Sequence, residues 1–418
     1  MDKEYIDIGF TGDLSFSGFF KGCEDDDSLL DDGVKEFPNK NDYNVINFES
    51  PVTPSRISKK KRLAHRCGDE ALDFVKRNIK NPVLSFANNH MMDFGYIGVI
   101  DTIDSCKAKK LPCIGIGLNV KKAARFAVLG DEIKVAVLAI EYKKYLVANE
   151  TTGGPLHESK KDEIKAAIKA MKQTADYAVV VYHGGDEFLN APMPYIRRQL
   201  KQYLAWGADA VVAHHPHVVQ GYEYVGKKPI FYSLGNFVFD TDYQRVQENT
   251  ENGMLLSLRF TREGISFDSQ ATHIDREVHK VVCGDDRRFF TDVSKGYDKL
   301  WSREAARKKD TKDRAEKLKE EELAERKERV ETERVRIEAL QKAAELKKAM
   351  YEKSDREIAE EGVEGASDTD AEEETVENKK TLHDLSKAMY KRLVVKRQDN
   401  VRAVVIRFGA LKAKTIYR

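Results

Sequence analysis

Throughout the first 240 residues, short apolar runs stop at a carboxylate, an amide or an imidazole. "YIDIGFTGD", "YNVINFESP", "NPVLSFANNH", "ADYAVVVYHGGDE", "ADAVVAHHPH" and "KPIFYSLGNF" all have this form. Apolar runs of this length, bounded by turn residues, read as strands buried on both faces. "LPCIGIG" and "IKVAVLAIEY" read the same way. Helical patterns at 162–174 and 195–206 lie between them, so the chain is expected to be α/β with buried sheets. From Gly253 the pattern changes. "GMLLSLRFTREGISFDSQATHI" reads as two alternating strands about a Glu-Gly turn, an antiparallel finish.

The polar residues at these ends are the candidates for chemistry. They are Asp13; Asn47 and Glu49; Asn88, Asn89 and His90 with Asp93; His183 with Asp186 and Glu187; His214, His215 and His217; and Asn236. Singly, each has an ordinary explanation: a lone Asp caps a turn, and a lone His is satisfied in a core. Together they do not. Strand ends on one side of an α/β sheet form a crevice. Imidazoles and carboxylates buried there are costly unless they satisfy one another or a cation. A divalent-metal site is therefore expected. Imidazole, carboxylate and amide donors without cysteine suit Mn, Fe or Zn, not Ca or an iron–sulfur cluster. On an extended segment His215 and His217 would face one side, with Pro216 restricting the backbone and His214 turned away.

The 71 basic and 70 acidic residues leave a net charge of +1, which offers no general argument for nucleic acid or a membrane surface. The five cysteines include no C-x-x-C pair. No stretch approaches the ~20 apolar residues of a membrane span, and the N-terminus lacks the regions of a signal peptide. The expectation is a cytoplasmic protein in a reducing compartment, with no intrinsic span and no nucleic-acid partner. "CIGIGLN" lacks the third glycine of a dinucleotide turn, where Val120 stands.

Four segments are expected: a main domain over 1–285, a long charged helix over 286–355, an acidic flexible linker over 356–380 and a small basic segment over 381–418. In the helix, Glu322 and Arg326, Glu325 and Arg329, and Glu338 and Lys342 are spaced for i,i+4 pairs. Leu323, Val330, Ile337, Ala344 and Tyr351 repeat every seven residues, but the matching seam is mostly charged. A solvated single helix and a weak coiled coil, with a helix-mediated homodimer or protein partner, both remain open.

"TGDLSFSG", "INFESPVT", "ANNHMMDFG", "HGGDEF", "ADAVVAHHPHVVQG" and "KPIFYSLGNFVFD" resemble the blocks of the poly-γ-glutamate capsule-synthesis (CapA) family. That family is similar in turn to the calcineurin-like metallophosphoesterases. The likeness runs from about residue 6 to about residue 274. It implies a four-layer α-β-β-α sandwich with one or two divalent ions at the strand ends. It further implies that Asn89, His183 and His215 hold one ion and Asp13 and His217 the other, with Glu49 between them. His90 would be the acid, oriented by Asp93. Asn47, Asn88, Glu187, His214 and Asn236 would line the substrate. The chain departs from the pattern in four places. Ser15 stands where phosphoesterases carry a histidine, and Glu49 where they carry aspartate. An arginine usual near Gly18 is missing, and Gly184 replaces an aromatic. The expected function is metal-dependent hydrolysis of a phosphorylated or polyanionic substrate, with basic help from 59–62 and from Arg197 and Arg198. The alternative is a non-catalytic component of a polymer-synthesis assembly that works through the long helix.

Overall fold

The computed structural model describes residues 4–59, 63–142 and 146–361. In chain order it forms β1 (Tyr5–Phe10), β2 (Asp13–Gly18), α1 (Asp32–Lys40), β3 (Tyr43–Asn47), α2 (Glu70–Asn78), β4 (Pro82–Ser85) and α3 (Gly95–Ala108). Next come β5 (Cys113–Ile114), β6 (Ile116–Gly117), α4 (Val120–Ala123), β7 (Ala127–Leu129), β8 (Val135–Glu141), β9 (Gly154–Pro155), α5 (Lys161–Thr174), β10 (Tyr177–His183) and α6 (Pro194–Ala205). The rest is β11 (Ala210–His214), β12 (Val219–Val225), β13 (Lys228–Leu234), β14 (Asn236–Asp240), α7 (Asp242–Arg245), β15 (Asn252–Thr261), β16 (Ile265–Asp275), β17 (Lys280–Cys283) and α8 (Tyr297–Glu361).

Two large sheets result. One runs β17-β16-β15-β1-β3-β4-β5 and the other β12-β13-β11-β10-β8-β7. In the first, β1, β3, β4 and β5 are parallel; β15 and β16 return antiparallel as the sequence pattern predicts, and a third antiparallel strand, β17, follows that the pattern does not show. In the second, β8, β10, β11 and β13 are parallel between antiparallel edges.

Strand β8 shows why the layers stack. Successive side chains on a strand point to opposite faces. Val135, Val137 and Ala139 pack with Ile8, Phe10, Val83 and Leu256 of the first sheet. Ala136, Leu138 and Ile140 pack with Ile164 and Ile168 of α5 and Leu200 of α6. A third apolar cluster sets Ile46 and Leu84 against Val34, Phe74 and Val99 of α1, α2 and α3. The order is therefore α-β-β-α, as the family resemblance implies. Each helix buries one stripe; in α5 it is Ile164, Ala167, Ile168 and Met171.

Asp13 does not end the first strand, as expected from the sequence. It opens β2 after a two-residue turn and pairs with Asn236 of β14. Gly12 makes this possible. A Cβ there would stand 2.4 Å from the Gly235 carbonyl oxygen, which accepts from the Asp13 N–H at 2.9 Å.

One compact unit ends at Lys308 and a second begins at Lys309. Helix α8 continues to Glu361, into the stretch read as acidic linker. The remainder of that linker and 381–418 lie outside the described residues. Along the helix Glu325 meets Arg329 at 3.1 Å, but Glu338 pairs with Arg334 at 3.0 Å and not with the expected Lys342. Leu323, Val330 and Ile337 are exposed. Among the described residues no helix is long and apolar enough to cross a membrane.

Leu256 is fully buried between the sheets. Leu256→Ala should lower stability by about 2–5 kcal/mol, read from a urea unfolding curve, because the close-packed interior cannot collapse around the lost methyls.

Candidate metal centre

Two carboxylates with no water-accessible surface, Asp13 and Glu49, stand at the strand-end edge of the first sheet. Asp13 Oδ1 accepts from Asn47 Nδ2 at 2.8 Å. Its Oδ2 accepts from the His215 backbone N–H at 3.4 Å and lies 3.1 Å from His217 Nδ1. The Glu49 N–H donates to Leu14 O at 2.7 Å, tying the end of β3 to β2. Glu49 Oε1 lies 3.4 Å from His183 Nε2, 3.8 Å from His90 Nε2 and 4.0 Å from His217 Nε2. The histidines of the 183 and 214–217 segments come from the ends of β10 and β11 in the other sheet. The site thus spans both sheets.

Asp13, Glu49 and His183 offer ligand atoms within 4.8 Å of one another, and so do Glu49, His215 and His217. Glu49 is common to both groups. The five donors fit a divalent cation. They are buried, oxygen and nitrogen only, and two carboxylates so close together out of water are stabilised by positive charge.

The neighbouring side chains orient this set. His217 Nδ1 faces two acceptors, Asp13 Oδ2 and Asn236 Oδ1 at 3.1 Å, so it carries the proton and Nε2 turns toward Glu49. Asn236 Nδ2 donates to Thr250 O at 2.9 Å. His183 Nδ1 accepts from Asn47 Nδ2 at 3.2 Å, and its Nε2 is 2.7 Å from Asn89 Oδ1. Asn88 donates to Phe48 O at 2.8 Å and accepts from the His90 N–H at 3.1 Å. His214 Nδ1 lies 3.5 Å from Asp13 Oδ1. Of the residues expected against substrate, Asn47 and Asn236 thus hydrogen-bond to ligand candidates, Asn88 to backbone, and His214 stands beside Asp13. Asp93 Oδ2 accepts from His90 Nδ1 at 2.7 Å and from the His65 N–H at 2.8 Å.

The expected extended His-Pro-His geometry is not what forms. Strand β11 ends at His214, and His215 and His217 have φ of 100° and 56°. Left-handed backbone at two non-glycine residues is strained. Their rings lie 5.7 Å apart and reach Glu49 by this turn, not by alternation.

A cavity of about 670 Å³ adjoins the cluster, lined by Tyr142, His157, Glu158, Gly185, Asp186, Glu187, His215 and Lys308. Glu187 Oε1 is 3.8 Å from His215 Nε2, and Tyr243 OH donates to its other oxygen at 3.2 Å. Gly184 has no room for the usual aromatic: its Cβ would stand 2.2 Å from Tyr142 Cβ. Arg197 is not available as a basic group. Its guanidinium forks onto Glu223 at 3.0 and 2.6 Å and lies over Tyr297. Residues 60–62 lie outside the described residues. Sequence reasoning missed His65, whose ring is 3.9 Å from His90's, and the cavity residues Tyr142, His157, Glu158 and Lys308. Tyr142 was signalled by the polar end of "VAVLAIEY". Lys308, in the first turns of the charged helix, gave no signal.

Burial opposes charge on both members of the Asp13–His217 pair, but the charged and hydrogen-bonding groups around each outweigh it. Hydrogen bonds to His214 and His217 hold the Asp13 carboxyl well below its ordinary value. Glu49 and Asp13 push His217 from 6.5 up to about 9. The signs follow. The raised His217 stabilises the metal-free fold fully below pH 6.5, and that contribution is lost as pH rises through about 9. The lowered Asp13 contributes above 3.8 and loses its contribution on acidification through its folded value. A divalent cation competes with the His217 proton, so its uptake should release protons and tighten as pH rises toward about 9. Calorimetric Mn²⁺ titrations in buffers of different ionisation enthalpy measure this. Affinity independent of pH would contradict it.

Residues 7–241 match the model of the family described as bacterial capsule synthesis protein PGA_cap. Capsule biosynthesis protein CapA of Bacillus anthracis is 31% identical over 284 residues, covering 65% of this chain and 68% of that protein. PGA biosynthesis protein CapA of Bacillus subtilis (strain 168) is 31% identical over 255 residues, covering 59% of this chain and 66% of that one. Among solved structures, a hypothetical protein from Thermus thermophilus superposes with a TM-score of 0.40 at 12% identity, over 64% of this chain and 98% of that chain. With the matched region running from β1 to the end of β14 and taking in all five clustered donors, the chain belongs to the PGA_cap family of bacterial capsule synthesis proteins.

Proposed function

We propose that this capsule-biosynthesis-related chain is a divalent-metal-dependent hydrolase of phosphoesterase type. The observation that carries the reading is the convergence of Asp13, Glu49, His183, His215 and His217, all buried, from the strand ends of two sheets. Divalent ions held there would polarise a phosphoryl group and lower the pKa of a water. The residues around them supply the rest. Asp93 accepts a hydrogen bond from His90 Nδ1–H and leaves Nε2 aimed at the centre; with the ring as imidazolium, Nε2–H can pass its proton to a leaving group and return to the neutral, Nδ1-protonated form. His65 and Phe239 wall this side with aromatic edges. On the other side, the cavity carries Glu158, Asp186 and Glu187 against Lys308. Side chains of that sign do not attract an anion. An anionic group would be drawn by bound cations, with neutral or cationic parts of the substrate in the cavity.

A second reading, a binding component of a polymer-synthesis assembly, is favoured by one observation. Ser15 stands where an imidazole would complete the first metal position, and its hydroxyl is 3.1 Å from Ser17 Oγ. One metal per chain with no turnover would select it.

The first test is metal content on protein purified without a histidine tag. His215→Ala and Glu49→Ala should each lose Mn²⁺ while keeping the circular dichroism of the parent; full retention in both sinks the assignment. His90→Ala should keep its metal and lose about 10²–10⁴-fold in Mn²⁺-dependent phosphodiester turnover. In a separate binding assay, soluble poly-γ-glutamate should be retained by the Mn²⁺-loaded chain and released by chelator. Retention after chelation would contradict the cation-drawn reading.

A further inference from the structure

The loop 184–193 joins β10 to α6 and runs beside the centre. It carries Glu187, next to His215, and Phe188, whose ring is 6.2 Å from that of His217. Phe188 has φ of 63°, a left-handed conformation that a bulky residue keeps only when its surroundings impose it. Two sets of hydrogen bonds impose it. On one side the Phe188 N–H donates to Pro216 O at 2.8 Å, the carbonyl between His215 and His217, and Gln220 Nε2 donates to Leu189 O at 2.6 Å. On the other side stand the first turns of α8. Arg307 Nη2 donates to Phe188 O. Glu304, itself buried, accepts from the Asn190 N–H at 3.0 Å and from Arg307 at 2.9 Å. Tyr297 OH donates to Pro192 O at 2.7 Å, and Lys308 pairs with Asp186.

These contacts are polar and directional, and most end on backbone atoms of one loop, so they fix its path. Those made by α8 also come from outside the family-matched region, which stops at residue 241. Phe188 is held by its N–H to the strained histidine turn and by its carbonyl to α8. We infer that the start of α8 is a working part of the centre: Arg307, backed by Glu304, is a positioning residue that keeps Phe188, and through it the turn of His215, Pro216 and His217, in the geometry that grips a divalent cation. The inference rests on the metal reading above.

Two readouts on the full chain test it: hydrogen exchange over 184–193 and 211–221, and Mn²⁺ affinity by calorimetry. Arg307→Ala should speed exchange in both segments and weaken Mn²⁺ binding by about tenfold or more, the range seen when residues supporting metal ligands are removed. Arg307→Lys, which keeps the charge but not the fork, should fall between. Arg326→Ala, on the exposed helix, should match the parent. If Arg307→Ala does not fold, Tyr297→Phe, which removes one loop hydrogen bond and little volume, should show both effects in smaller degree. Unchanged exchange at 211–221 with unchanged affinity would overturn the inference. So would a uniform loss of protection across the fold, which would make Arg307 a general stabiliser. A parent chain that takes up no Mn²⁺ would sink the metal reading instead, and the coupling would then be decided by exchange at 211–221 alone.

Discussion

The strand-end edge of this molecule is organised by one carboxylate with no access to water. Asp13 belongs to a short strand, β2, paired with β14 outside both large sheets, yet the groups gathered about its oxygens include the His215 N–H and the His214 and His217 rings, at and just beyond the end of β11 in the second. Between the sheets the packing is apolar: Val, Ile, Leu and Phe fill a layer of the usual ~10 Å. At the edge, where loops replace strands, polar side chains meet across the same gap. An ionised carboxylate is tolerated there only because donors are aimed at it from both sides. Glu49 just beyond β3, His183 at the end of β10 and the histidine turn after β11 gather around it.

The layers were legible in the sequence because strands buried on both faces leave an unmistakable trace. "VAVLAI" is apolar at every position since β8 touches one core with its odd residues and another with its even ones. The polar strand ends were legible for a related reason: nothing in a core explains an imidazole or carboxylate after such a run. What could not be read was geometry set by distant backbone. Asp13 opens β2 because Gly12 packs onto the Gly235 carbonyl, a contact across more than half the domain. His215 and His217 meet through left-handed turns, where spacing alone suggested an extended segment. Arg197 of α6, expected to help with an anionic substrate, is locked to Glu223 of β12. Asn88 and Asn236, expected to line the substrate, donate to the Phe48 and Thr250 carbonyls, bonds that residue types alone do not reveal.

The start of α8 is the clearest case of information hidden from linear reading. Within "SREAARKK" nothing distinguishes Glu304, Arg307 and Lys308 from the charged residues that follow. Only the fold places them over the loop beside the metal-type cluster, while later charges of the same helix satisfy one another at i,i+4 spacing.

The left-handed backbone at His215 and His217 has a consequence for how this protein balances durability against use. Glycine would adopt both conformations at no steric cost. Glycine would relieve backbone strain at either position, but at His217 it would also remove the ring that pairs with the buried Asp13 carboxylate. Keeping two ringed residues there leaves a permanent tension in the resting molecule. An ion binding to the rings would work against that tension, so the occupied protein should be the stiffer one and the empty protein the one that breathes at this turn.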